Sequence, residues 1–168
     1  MEKDRDQAIL FLHHARDLII FFRGAVKADH SFALYEKLEH SLGEGGVDTL
    51  YLDLHDSDYI DSTTVGTLIK LKKLQESHGA RCVLTNLSDP VREILAGMKL
   101  LSYFSVAEST KVRELEDQVV NAVPLDLQEK VSSAFVLDAH HDIVRIVPEL
   151  REEFETLFKA LENATGKS

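Results

Sequence analysis

Residues 53–68 read DLHDSDYIDSTTVGTL and join an apolar segment to a helical one. Thr49 to Leu54 predicts a buried strand, and apolar side chains at helical spacing predict a helix from Thr63 to His78. Between them, an acidic loop delivers the three consecutive hydroxyls of residues 62–64 to the start of that helix. Hydroxyls in this position can cap free backbone N–H groups. We expect them to be exposed as well, so that an added phosphate would meet those N–H groups and the positive end of the helix dipole.

The segments on either side alternate between strand and helix. Two apolar runs, at 8–12 and 18–22, are separated by too few residues for a crossover helix and therefore predict an antiparallel hairpin. Along the chain follow a helix at 31–42, the strand and helix above, a strand at 81–85, a helix at 89–98 and a short strand near 104–107. This alternation predicts parallel βα units, and so an α/β fold with a mixed sheet.

The remaining residues predict helices. Residues 108–123 have helical spacing that Pro124 ends, whereas 143–147 fits either a helix or a strand. A helical face before that segment is formed by Leu127, Val131, Ala134 and Phe135. Pro148 is well placed as the first residue of a final helix, whose apolar stripe is Leu150, Phe154, Leu157, Phe158 and Leu161.

Composition excludes several classes of function. The chain has 168 residues and a formal net charge of −10, which argues against a nucleic-acid partner and favours protein partners. Its single cysteine, Cys82, excludes an internal disulfide and a multi-cysteine zinc site, and its apolar neighbours predict burial. No apolar run approaches the ~20 residues of a membrane span, so we expect a cytoplasmic protein.

Neither a cofactor nor a metal is predicted. The sequence contains no Gly-x-x-x-x-Gly-Lys loop and no Gly-x-Gly-x-x-Gly loop, so no nucleotide site and no enzymatic activity are expected. The neighbouring histidines at 13–14 and 140–141 do not have the spacing of metal ligands, and we expect them to be surface or capping residues.

The order of elements and the central loop together resemble the STAS domain, a family of sulfate-transporter regions and bacterial anti-sigma factor antagonists. That family's loop typically reads Asp-Leu-Ser, a few residues, then Phe-Ile-Asp-Ser-Ser-Gly-Leu-Gly. Here Asp53-Leu54 is followed by residues 60–66, Ile-Asp-Ser-Thr-Thr-Val-Gly. The resemblance covers about residues 6–122 and leaves 123–168 as a helical C-terminal extension.

The resemblance implies a regulator of transcription that works by partner switching. Thr63 aligns with the family's phosphate acceptor, Ser62 and Thr64 are alternative acceptors, and Thr64 replaces the usual glycine. The unphosphorylated domain would bind an anti-sigma factor that is also a serine/threonine protein kinase, and a phosphatase would reverse the modification. The implied partner-binding residues are Asp58, Ile60, Asp61, Ser62, Thr63, Thr64 and Val65.

Other interpretations remain open at this stage. Asp53 at a strand end is similar to the acceptor of a response-regulator receiver, but the paired acidic residues and the lysine of that fold are missing. Alternatively, the chain is a non-phosphorylated adaptor or scaffold subunit of a signalling assembly. The C-terminal stripe would usually be core packing, but it could also form a homodimer, and the extension could cover the central loop.

Overall fold

The fold is built on a mixed sheet whose strands lie in chain order. The computed structural model describes residues 9–119, 127 and 130–165. Strands β1 (Ile9–His14) and β2 (Asp17–Val26) form the predicted antiparallel hairpin. The remaining strands are β3 (Thr49–Ile60), β4 (Arg81–Thr85) and β5 (Val106–Ala107). Strand β3 pairs in parallel with β2, β4 with β3, and β5 with β4. The predicted α/β class with a mixed sheet is confirmed.

Helices cover both faces of this sheet. The main core lies beneath α1 (Ala28–Gly43), α2 (Ser62–Glu76) and α3 (Asp89–Gly97). Because alternate side chains of a strand point to opposite faces, Ile20 joins this core while Ile19 and Phe21 join a smaller cluster on the other face. That second cluster is closed by α4 (Thr110–Leu115), which a 3₁₀ turn extends over Glu116–Gln118.

The C-terminal helices pack on this domain. Helix α5 (Ser133–Ile146) lies against α2, and its residue Ile143 is part of the main core. Residues 143–146, left open between helix and strand, are helical. Pro148 begins a 3₁₀ turn (Pro148–Arg151) instead of the final α-helix, and α6 begins later, at Glu155–Thr165.

The helix predicted around Leu127 needs correction, and some other predicted boundaries cannot be compared. Leu127 lies in a turn, and the helix predicted around it begins only at Ser133. Residues 120–123, Pro124 and the predicted domain boundary at 122/123 lie outside the described residues.

The acidic loop is a continuation of strand β3. Asp56, Ser57, Tyr59 and Ile60 pair in parallel with the end of β2, and the register shifts at two irregularities along the pair. Gly24 lies within β2 with a φ of 65°, a conformation that glycine adopts without strain. The Ser57 hydroxyl donates to the Gly24 carbonyl at 2.9 Å. This extension carries the chain directly to the start of α2.

Candidate functional site

Asp61 fixes the start of α2 and the position of the three hydroxyls. One carboxylate oxygen accepts hydrogen bonds from the Thr64 amide at 2.8 Å and the Thr64 hydroxyl at 2.7 Å. The other accepts from the Ala28 amide at 2.8 Å, so the same side chain also anchors the start of α1. The Asp61 carboxylate therefore caps α2 and holds its first turn against α1.

The predicted exposure of the acceptor hydroxyls is wrong for two of the three residues. Thr63 is only 5% exposed, and Thr64 is buried, with its hydroxyl donating to the Val26 carbonyl at 3.1 Å. Ser62 is partly exposed. The C-terminal extension reaches the first turn of α2 at Ser62, through His140, and the start of α1 is bound to the same turn at Asp61.

Helix α5 approaches α2 closely at a glycine. A Cβ atom placed on Gly66 would lie 2.4 Å from the Ala139 carbonyl oxygen and 2.7 Å from the Ala139 Cβ. Contacts this short are far inside van der Waals distance, so only glycine fits beneath α5 at this point. Gly66 is therefore required by the packing of the extension.

A serine–histidine hydrogen bond joins the two helices at the start of α2. The Ser62 Oγ lies 2.8 Å from His140 Nε2, and His140 Nδ1 lies 2.7 Å from the Val136 carbonyl oxygen. Because a carbonyl only accepts, Nδ1 carries the proton and Nε2 accepts from Ser62. The expectation that His140 is a surface or capping residue is wrong, since it is 1% exposed.

An ion-pair cluster joins the helices at the other end of the contact. The Asp142 carboxylate is nearly buried and lies 2.8 Å from Lys70 Nζ and 2.9 Å from Lys73 Nζ. Burial opposes ionisation of Asp142, but the hydrogen bonds from both lysines outweigh it and hold the pKa of that carboxyl below its ordinary value. Charge complementarity thus adds to the packing at Gly66.

The buried imidazole should make the stability of the protein pH-dependent. Burial lowers the pKa of His140, against the opposing effects of the Val136 carbonyl and Asp61. The folded chain therefore holds His140 neutral where the unfolded chain binds a proton, so its contribution to stability is complete above about pH 6.5 and declines below it. We expect the free energy of unfolding of His140→Gln to vary less than wild type between about pH 5.5 and about pH 7.5.

Urea denaturation at several pH values measures this difference. His78→Gln, which removes an exposed histidine, is the matched control and should keep the wild-type pH response. Parallel curves for wild type and His140→Gln would contradict the assignment of a neutral, buried imidazole.

Some of the predicted partner-binding residues are exposed at the surface, and others are buried beneath it. Asp58 is exposed, and Asp61 and Ser62 are partly exposed, whereas Ile60 and Val65 are fully buried. In this conformation, Ile60, Thr64 and Val65 support the surface from below. The side chains of Ile60 and Val65 lie in the main core, and the Thr64 hydroxyl is bonded to the Val26 carbonyl at the end of β2.

Sequence reasoning missed an exposed aromatic residue beside this surface. Tyr59 is 45% exposed, next to Asp58, because the irregular β2–β3 pairing turns both side chains outwards. A large aromatic flanked by polar residues at the end of a strand is the signal that could have found it. His140 was missed for a different reason, since its partner lies 78 positions away in the chain.

The carboxylate of Asp53 is buried and has a structural role. Its carboxylate accepts hydrogen bonds from the Thr85 hydroxyl at 3.0 Å, the Asn86 amide at 2.7 Å and Arg113 Nη1 at 2.8 Å. The side chain is 1% exposed, so it cannot serve as a receiver-type phosphate acceptor in this conformation. It ties the ends of β3 and β4 to α4.

The described parts of the chain contain neither a metal-binding cluster nor a membrane-spanning helix. No group of three or more His, Cys, Asp or Glu side chains could hold a metal ion there. Across the same residues, every helix is too short or too polar to cross a membrane.

Cys82 is buried as predicted, and burial raises the pKa of its thiol to about 12.

Comparison with known proteins identifies the family. The model of the STAS domain family matches residues 8–118. The matched segment includes the sheet and α1 to α4, together with the hydroxyls at the start of α2.

Solved structures share this fold at low sequence identity. The anti-sigma factor antagonist SpoIIAA in its unphosphorylated form is 21% identical, with a TM-score of 0.57 over 70% of this chain and 100% of that chain. The phosphorylated form of SpoIIAA, a Bacillus cell fate determinant, is 19% identical, with a TM-score of 0.54 over 67% and 99%. An RsbS variant from Moorella thermoacetica is 20% identical, with a TM-score of 0.53 over 66% and 99%.

Proposed function

The chain belongs to the STAS domain family, and we propose that it is an anti-sigma factor antagonist-type regulator controlled by phosphorylation. It would bind an anti-sigma factor that is also a serine/threonine protein kinase, and a phosphatase would restore the unmodified form. In this proposal the chain is a cytoplasmic bacterial binding module, and its partners perform the catalysis. No cofactor is required of the chain itself.

The observation that carries the proposal is the placement of residues 62–64 in the first turn of α2, directly after the Asp61 cap. The same turn is the family's modification site, with Thr63 aligned to the acceptor. Ser62 and Thr64 are the alternatives, and of the three Ser62 is the most accessible. The exposed neighbours Asp58 and Tyr59 extend this turn into a surface that a protein partner could contact.

Electrostatics explains how a single phosphate could end the interaction. A phosphate adds about −1.5 to −2 charge and strong acceptor oxygens. Beside Asp61 and Asp58 it would repel a partner surface that fits the unmodified acidic turn, while the dipole of α2 would limit the cost to the fold itself. A tenfold loss of affinity needs only about 1.4 kcal/mol, which one such charge can supply.

Mass spectrometry of the protein purified from its host tests this function. We expect one phosphate on residues 62–64, found by intact mass and peptide mapping, and its loss in the variant that removes the modified hydroxyl. Thr63→Ala and Ser62→Ala distinguish the two leading acceptors. Ser102→Ala removes an exposed hydroxyl elsewhere and serves as the control.

A second candidate function is favoured by the burial of Thr63. With that side chain 5% exposed, the chain could act as an unmodified adaptor or scaffold subunit of a signalling assembly. Such a subunit would carry no phosphate on residues 62–64 under any growth condition, which the same mapping would reveal. A homodimer through the C-terminal helices would fit this role, and light scattering of the full chain measures it.

A further inference from the structure

One face of α2, which begins at Ser62 and continues along the helix, is covered by the chain's own C-terminal extension. Ser62, Gly66, Lys70 and Lys73 lie along one side of this helix at helical spacing. Each of them meets α5: Ser62 at His140, Gly66 at Ala139, and both lysines at Asp142. Hydrogen bonding, close packing and charge therefore combine along a single continuous contact.

This contact has the composition of a specific interface. His140 and Asp142 are both buried, and each bonds across to α2 as well as to a neighbour on α5, His140 to Val136 and Asp142 to Arg145. A buried polar group that loses its hydrogen-bond partner is destabilising, so neither residue tolerates a misplaced α5. The family match ends at residue 118, before α5 begins, so this helix adds to the family's core.

We propose that this face of α2 is an interaction surface that the extension occupies in cis, so that α5 must leave before a partner or kinase can reach the hydroxyls. The inference rests on the proposed function for what arrives at the surface, but the occupancy itself is independent of it. The surface would accept a partner helix with a small residue over Gly66 and a carboxylate near Lys70 and Lys73.

The same geometry couples modification to opening. At 2.8 Å, the Ser62 oxygen and His140 Nε2 leave no room for a phosphorus atom between them. A phosphate on Ser62 would also place negative charge in a site built around a neutral, hydrogen-bonded imidazole. The closed chain therefore protects this turn, and a chain phosphorylated at Ser62 could not close again in the same way.

Cysteine labelling of the full-length chain tests the occupancy without any partner. Cys82 is buried and its pKa is raised to about 12, so it should react negligibly with iodoacetamide near neutral pH. We expect the thiol introduced by Thr63→Cys to react at least about tenfold more slowly than the thiol of Ser102→Cys, an exposed position, since 1.4 kcal/mol of closure produces this factor.

Releasing α5 should remove that protection. Adding Gly66→Ala to Thr63→Cys introduces the clash with Ala139, and Asp142→Lys repels both lysines without altering α2. Each is expected to raise the labelling rate of the Thr63→Cys thiol at least about fivefold while leaving that of Ser102→Cys unchanged. Gly97→Ala is the control for Gly66→Ala, because a Cβ on Gly97 meets no atom within 4 Å.

Two outcomes would overturn the inference. One is equal labelling of Thr63→Cys and Ser102→Cys in the chain that retains Gly66 and Asp142. The other is a Thr63→Cys rate that neither Gly66→Ala nor Asp142→Lys changes, which would mean that the STAS core itself buries the residue. Neither readout depends on phosphate, so a failure of the proposed function would leave this result intact.

Discussion

Replacing Asp53 by alanine is expected to lower the free energy of unfolding by about 3 kcal/mol, since removing one member of a buried charge pair typically costs 3–5 kcal/mol. The substitution would leave the Asn86 amide without its 2.7 Å acceptor and Arg113 without its most deeply buried partner. Arg113 would retain Asp56 and Glu116, both of which it contacts in the native fold. The expected loss is therefore at the lower end of that range.

Urea denaturation followed by circular dichroism measures this effect. Asp56→Ala is the matched control, because Asp56 binds the same arginine but its side chain is 40% exposed, and exposed ion pairs contribute at most about 1 kcal/mol. Equal losses for the two variants would contradict the conclusion that burial at Asp53, and not charge alone, holds β3, β4 and α4 together.

The antiparallel hairpin and the parallel βα units that follow it could be predicted because they follow from local patterns. The apolar runs of β1 and β2 are separated by a connection too short for a helix, so the antiparallel hairpin had no alternative. The helices α1, α2 and α3 show apolar residues at helical spacing, and Ser88 and Pro90 mark the start of α3. Each of these signals lies within one element or at its boundary.

The length of β3 could not be predicted, because its second half does not alternate. Ser57 points inwards, Asp58 and Tyr59 both point outwards, and Ile60 points inwards again. Irregular pairing with β2 produces this order, and it depends on Gly24 in the neighbouring strand. The alternation of buried and exposed residues that predicts a strand therefore stops within β3, where the candidate functional surface begins.

The burial of the candidate site depends on contacts that are distant in sequence. Thr63 has the local sequence context of an exposed helix start, yet it is 5% exposed, in a turn where α5 reaches Ser62 and the start of α1 is bound to Asp61. One signal was available: Gly66 interrupts the interior of a helix, where glycine is unfavourable unless another backbone approaches closely. It indicated a close neighbour but could not identify Ala139.

Replacing Asp61 by alanine is expected to lower the free energy of unfolding by about 2–3 kcal/mol, combining a lost helix cap with a second unpaired amide. The Thr64 and Ala28 amides would each lose an acceptor at 2.8 Å. The Thr64 hydroxyl, whose single proton lies between the Asp61 carboxylate and the Val26 carbonyl, would then donate to Val26 alone. Thermal and urea unfolding measure the total, and amide hydrogen exchange at Thr64 reports the first turn of α2 directly.

Asp61→Asn separates the two contributions of this side chain. Its amide oxygen can still cap α2 through the Thr64 amide, but its NH₂ group would face the Ala28 amide, which is also a donor. We therefore expect Asp61→Asn to restore protection at Thr64 while α1 remains loosened at Ala28. Asp58→Ala, which removes a neighbouring exposed carboxylate, should change stability by less than about 0.5 kcal/mol. If Asp61→Asn and Asp61→Ala gave the same hydrogen exchange at both amides, the charge of the carboxylate, and not its hydrogen-bond geometry, would hold the first turn of α2.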